Sequence, residues 1–195
     1  AVVFTQISFA RNIDLGFRKD NVLVVQGAGL LTIGGQESFI QQLRSNPGVL
    51  DMAMIHILPF DTSQMLSTAQ LPGHPERVEL NERVIGTNAI QLLGMKLVAG
   101  RLLADKRALD QLDEGGGAHA NDGHNVLIDE AAARRLGLAP QHAIGQAIIF
   151  KNSHLNIVGV LGDAKFGGAR EPTKASVYYY DPKFSAAAMI RVRPD

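Results

Sequence analysis

The chain has no cysteine. Disulfides, zinc–thiolate centres and thiol nucleophiles are therefore excluded, although this absence does not fix a compartment. Tryptophan is absent too. No sign of charge dominates: 19 Lys plus Arg balance 19 Asp plus Glu. That argues against a nucleic-acid binder, whose phosphate contacts demand a basic excess. No apolar run approaches the ~20 residues needed to cross a bilayer; runs such as Val22–Val25 and Ile144–Phe150 are short and punctuated. There is neither a GxxxxGK[ST] phosphate loop nor a GxSxG nucleophile turn. The sequence opens at Ala1-Val2-Val3-Phe4, with no initiator Met and no basic start leading into an apolar run, and reads as a piece of something larger.

What is present suits a folded domain. The length, 195 residues, corresponds to one domain or two small ones, and a chain of this size buries about 70% of its unfolded surface without needing a staple. Asn21–Val25 is β-branched and apolar, and predicts a buried strand. Glu37–Arg44 predicts a short helix with Phe39, Ile40 and Leu43 on one face, stopped by Pro47. Val49–Leu58 predicts a long strand covered on both sides, which completes a β-α-β unit. Pro59–Pro75 reads as irregular. Glu76–Ile85 reads as a half-exposed strand. Thr87 is placed to cap a helix over Asn88–Leu93, with Gly94 just past its end, where positive φ is cheapest for glycine.

Met95–Ala99 runs extended. Arg101–His124 is polar, Gly-rich and aperiodic, and is expected to be the least regular segment. Val126–Ile128 predicts a strand that feeds a helix over Glu130–Leu136, capped by Asp129 and ended by Gly137; the acid at its start and Arg134 and Arg135 at its end suit the helix dipole. Gln146–Phe150, Leu155–Leu161, Ser176–Tyr180 and Ala188–Arg193 predict further strands, the last with clean alternation. The count is about eight strands and three helices.

The motifs that suggest chemistry are thin. Gly27-Ala28-Gly29 follows a strand, but no helix opens at the glycines to present amides to a pyrophosphate. His119, Asp122 and His124 sit together in the polar loop, yet that loop has no rigid scaffold to orient metal ligands. The neighbouring acids Asp113 and Glu114 read as solvated loop charges. His56, on a strand face with Met52 and Met54, reads as a core or interface histidine. Ser8, Ser38, Ser63 and Ser176 lie in no nucleophile context. No catalytic residue, metal site or cofactor is assigned.

Four stretches, in order, resemble one family. They are Asp14-Leu15-Gly16-Phe17 with Asn21-Val22-Leu23-Val24-Val25; Leu93-Gly94 with Leu97-Val98-Ala99-Gly100-Arg101; Val126-Leu127-Ile128-Asp129-Glu130-Ala131-Ala132 with Leu136-Gly137 and Ile144-Gly145; and Ile157-Val158-Gly159-Val160 with Asp163. The set resembles the periplasmic core domain of MacB/FtsX-type ABC transporter permeases. Gly94–Arg101 is its most diagnostic piece. The structural motif residues carried by the resemblance are Gly94, Gly100, Arg101, Asp129, Gly137, Gly145, Gly159 and Asp163. Gly159, inside a strand, predicts a bulge or close packing, and Arg101 is placed to tie the long loop to the sheet or to stand exposed.

The resemblance implies a periplasmic domain of an inner-membrane permease. It implies no chemistry in the domain itself and no cofactor. It implies a cytoplasmic ABC ATPase as partner, a permease dimer in the membrane, a periplasmic adaptor or substrate protein, and no nucleic acid. The expected fold is α+β and two-lobed: a partial ferredoxin-like porter lobe, residues 1–75 with 181–195, and an inserted β-rich lobe, 76–180. The resemblance implies that family domains continue past the position of Arg193 through a further helix and strand, so apolar residues of strand 188–193 or 49–58 are expected to lose their cover. Two other functions are weighed. One is a ligand- or peptide-sensing permease domain, which requires a pocket with converging polar groups. The other is a soluble metal-dependent hydrolase using the loop histidines.

Overall fold

A computed structural model of the chain describes residues 14–28, 33–56, 58, 64–113, 115, 117, 119–168, 171–184 and 186–194. Among these residues the fold is α+β, with ten strands, four α-helices and one 3-10 turn.

The smaller sheet has the order β1-β10-β2, built from Val22–Gln26, Ala187–Val192 and Val49–Ile55. Both neighbours run antiparallel to β10, so β1 and β2 are parallel to each other and need a crossover. Helix α1, Ile33–Ser45, supplies it. Its Phe39, Ile40 and Leu43 pack over Met52, Ala188 and Ile190, the face expected from their spacing.

The larger sheet has the order β5-β8-β6-β9-β4-β3-β7, and β7 pairs with β8 as well. Six strands therefore close on themselves: β3 (Leu66–Gln70), β4 (Val78–Val84), β6 (Asn125–Asp129), β7 (Ala147–Phe150), β8 (Ser153–Leu161) and β9 (Ser176–Tyr179). Strand β5, Leu97–Gly100, hangs on the second half of β8, along the flank whose first half carries β7. Closure removes the exposed edges that invite aberrant pairing. Alternate residues divide between two cores. Val126, Ile128, Val177 and Tyr179 join Phe150, Ile148 and Leu155 in one, and helices α3 (Glu130–Arg135) and α4 (Pro140–Ala143) add Ala131, Ala132, Ala133 and Ala143 to it. Leu127, Tyr178 and Leu161 instead meet Ala53, Ile55, Ala187 and Met189 of the smaller sheet, with α2 (Ala89–Leu93) sharing that core.

Several expectations need correction. Strand β1 is exposed, with Leu23 at 56%, Val24 at 45% and Val25 at 37%; among the described residues it is an edge strand bonded only to β10. The exposed apolar surface is thus on β1, with Leu50 of β2 exposed as well, and not on β10, whose Ala187–Ile190 are buried between two neighbours. Helix α1 starts at Ile33, four residues earlier than expected, since its first turn lacks the apolar periodicity that marks the rest. Strand β4 is central and buried, holding Asn81, Glu82 and Arg83 inside; hydrogen bonds made by Asn81 and Glu82 and the Phe166 ring beneath Arg83, not alternation, make that possible. The stretch expected to be irregular contains β3, paired with β4 and β7, so residues 66–70 belong to the larger sheet and not to the smaller one. Residues 59–63, including Ser63, lie outside the described residues, as do Ser8, Gly29 and Glu114.

Candidate functional site

The expected motif residues cluster at joints of the larger sheet. At Gly100 φ is +74°, and a Cβ there would collide with the Val158 carbonyl and press on Gly159 Cα. A Cβ on Gly159 would collide with the Arg101 carbonyl. The two glycines face each other where β5 meets β8, and the Arg101 amide donates to the Val158 carbonyl at 2.9 Å. Side chains are absent because the backbones need the room.

From this joint the Arg101 side chain reaches Asp110. Its two terminal nitrogens donate to the two carboxylate oxygens at 2.7 and 2.9 Å. Asp110 is fully buried and also accepts from the Ala104 amide at 2.9 Å and from Asn125 Nδ2 at 2.6 Å. Burial opposes ionisation of Asp110 most strongly, but these hydrogen bonds outweigh it and hold the carboxyl below its ordinary range. The loop expected to be solvated is therefore pinned in its first half, where Leu103 and Leu112 are buried as well.

Asp129 and Asp163 meet at the start of α3. Asp129 Oδ1 accepts from the Ala132 amide at 2.7 Å and the Ser176 amide at 3.1 Å, the capping role its sequence position predicts. Burial pushes its carboxyl up to about 7 against these hydrogen bonds, and the nearby Asp163 adds to the rise. Asp163 accepts from the Ala131 amide at 2.7 Å and from Arg134 at 2.5 Å. Its own carbonyl lies where a Cβ on Gly16 would go, so the Asp14–Phe17 stretch and the Asp163 motif are in contact. Gly94 ends α2 with φ +63° beneath the Arg18 side chain. Gly137 and Gly145 take φ of +71° and +82° with open space around them.

Four residues, none of them a motif residue of the resemblance, join the two sheets. Arg191 of β10 donates to the Leu92 carbonyl at 2.6 Å and the Asp20 carbonyl at 2.7 Å. The Asn88 side-chain amide donates to Asp51 Oδ1 at 3.0 Å and to the Met52 carbonyl on the outer edge of β2. It does so instead of Thr87 capping α2, whose N-cap position, Asn88, makes no side-chain cap bond. The Gly86 amide donates to the Met54 carbonyl at 2.7 Å, and the His56 amide to Val84 at 3.1 Å. Nothing in spacing announces these long-range pairs; the only signal was an arginine on a strand expected to face water.

The two loop histidines weighed for metal binding have different partners. His119 Nδ1 lies 3.2 Å from Asp122 Oδ2 on the surface, while His124 Nδ1 lies 2.6 Å from the Gln111 carbonyl. Among the described residues, no three His, Asp or Glu side chains gather to hold a metal. His56 stacks on Phe184 with centroids 4.1 Å apart. Gly27 takes φ +78°; residues 29–32, where a helix would have to open on the glycines, lie outside the described residues. No described helix is long and apolar enough to cross a membrane.

The same architecture occurs in solved structures. The periplasmic region of MacB from Actinobacillus actinomycetemcomitans superposes with a TM-score of 0.59 at 14% identity, covering 92% of this chain and 78% of that one. The extracellular domain of the noncanonic ABC-type transporter YknZ from Gram-positive bacteria gives 0.53 at 13% identity, over 81% and 73%. A domain of a permease protein from Porphyromonas gingivalis gives 0.55 at 19%, over 90% and 76%. No curated protein matches the chain. The fold is thus that of the extracytoplasmic domains that transporter permeases carry. Residues 3–194 match the MacB-like periplasmic core domain, and the chain belongs to that family. It is the periplasmic domain of a MacB-like ABC transporter permease.

Proposed function

We propose that this domain is a non-enzymatic coupling element. A cytoplasmic ABC ATPase drives movements of a permease dimer, and the domain relays them to export of a substrate or displacement of a periplasmic partner protein. The observation that carries this reading is the shared core of the two sheets. Met189 and Ile55 of one pack with Leu127 and Tyr178 of the other around α2, and Arg191 and Asn88 bond across the same junction. A displacement of the smaller sheet is then carried to the barrel rather than absorbed, since close-packed interiors transmit strain. On this reading the porter-like lobe comprises the smaller sheet with α1, and the inserted lobe comprises the barrel.

The test uses the full permease with its ATPase in proteoliposomes. Arg191→Ala should leave ATP turnover in place but lower transport per ATP by about tenfold, a coupling loss of about 1.4 kcal/mol. Unchanged transport per ATP, with hydrogen exchange showing a loosened junction, overturns the reading.

A further inference from the structure

A cleft of about 410 Å³ opens where the two sheets meet, within the range of small-molecule sites. Met52, Ala53 and Met54 of β2 form its floor, and Ile40, Gln41 and Arg44 of α1 form one wall. The turn Gly86–Asn88, Asp105 and Tyr180 form the other. Thioether side chains adapt to irregular apolar groups. The lining carries one cation, Arg44, and one anion, Asp105, on different elements. Among the described residues, neither Arg44 nor Asp105 has an ion-pair partner. The Asp105 wall is the negative one: burial raises the Tyr180 hydroxyl above its ordinary range, and the Asp105 and Asp181 carboxylates raise it further. An anion is disfavoured there and an ammonium favoured. Arg44 offers a planar fork of donors suited to a carboxylate.

We propose that this cleft binds a zwitterion of di- or tripeptide size, with its ammonium at Asp105 and Tyr180, its carboxylate at Arg44 and its apolar body over Met52 and Met54. The occupant follows from charge complementarity: a cation or an anion alone leaves one wall unanswered, and an apolar molecule leaves both. The assignment does not rest on the coupling role. The cleft is bounded by elements of both sheets, so occupancy would fix their relation whether or not ATP drives it.

Glycyl-leucyl-glycine with free ends is the probe, followed by amide chemical shifts of the whole 195-residue chain. Saturable shifts confined to Met52–Met54 and Gly86–Asn88 are expected. The N-acetylated, C-amidated tripeptide should bind about tenfold more weakly. Arg44→Gln and Asp105→Asn should each weaken the free tripeptide by a similar factor, and both sites are exposed enough that folding persists, checked by unchanged thermal midpoints. No saturable shift at millimolar peptide overturns the proposal. So does equal binding of the capped peptide, or perturbation centred elsewhere.

Discussion

Arg101 and Asp110 form a two-pronged ion pair, 2.7 and 2.9 Å, between an arginine partly open to solvent and a carboxylate with none of its surface exposed. The pair closes the excursion of chain from Arg101 to Asp110 back onto the end of β5, and Asn125 of β6 donates to the same carboxylate.

The first prediction follows from that asymmetry. Asp110→Ala strands the Arg101 guanidinium, the Asn125 amide and the Ala104 amide, and should cost about 3 kcal/mol, the scale of breaking a buried pair. Arg101→Ala leaves a buried carboxylate without its cation and should cost as much. Arg101→Lys should lose part, since an ammonium cannot reproduce the fork. Denaturant midpoints at constant m-value measure all three. Losses below about 0.5 kcal/mol, the size of an ordinary surface substitution, would show the pair to be incidental.

The glycines separate into two kinds. Gly100→Ala and Gly159→Ala push a methyl into the opposing backbone, so β5 must detach from β8; each should cost more than about 2 kcal/mol. Gly145→Ala meets open space and pays only for its left-handed backbone, about 1 kcal/mol. Equal losses at all three positions, seen by thermal unfolding, would contradict the close approach of the strands.

Asp129 sets a pH dependence. Its folded value of about 7 lies above the ordinary 3.8, so between these limits the folded state holds a proton that the unfolded state has released. Its contribution is fully present below about pH 4 and is lost as pH rises towards 7. The slope approaches about 1.4 kcal/mol per pH unit in that window. Asp129→Asn should flatten this fall while keeping the oxygen that accepts from Ala132 and Ser176. Urea titrations at intervals from pH 4 to 8 check it, and an identical slope in the variant rules Asp129 out as the group responsible.

Much of this arrangement was legible before the structure, but unevenly. Asp129, Gly94 and Gly137 act within one turn of their own helices, and local chemistry announces them. The spacing of Phe39, Ile40 and Leu43 gave the buried face of α1. Strand β3 was hidden because Leu66–Gln70 carries one buried apolar residue, Ala69, and its pairing supplies what its composition lacks. Asp110 was hidden because a carboxylate in a Gly-rich, charged loop looks solvated until its three donors are brought to it from Arg101, Ala104 and Asn125. Burial of β4 misled for the same reason: Glu82 is tolerated inside only because Tyr179, Lys151 and Ser67 bond to it. Arg191 and Asn88 act across separations that no periodicity encodes.

The position of β10 between β1 and β2 also orders events during synthesis. Residues 22–55 leave the ribosome early but cannot complete their sheet until residues 187–192 are made. The barrel strands, 66–179, emerge in between and close without them. Pairings so distant in sequence are slow to form, and until they do, β1 and β2 present two loose edges and an apolar surface to the periplasm. Slow or incomplete maturation of this domain should therefore appear as trouble at β1, with chaperone capture or cleavage between residues 22 and 55 while the barrel is already resistant to protease.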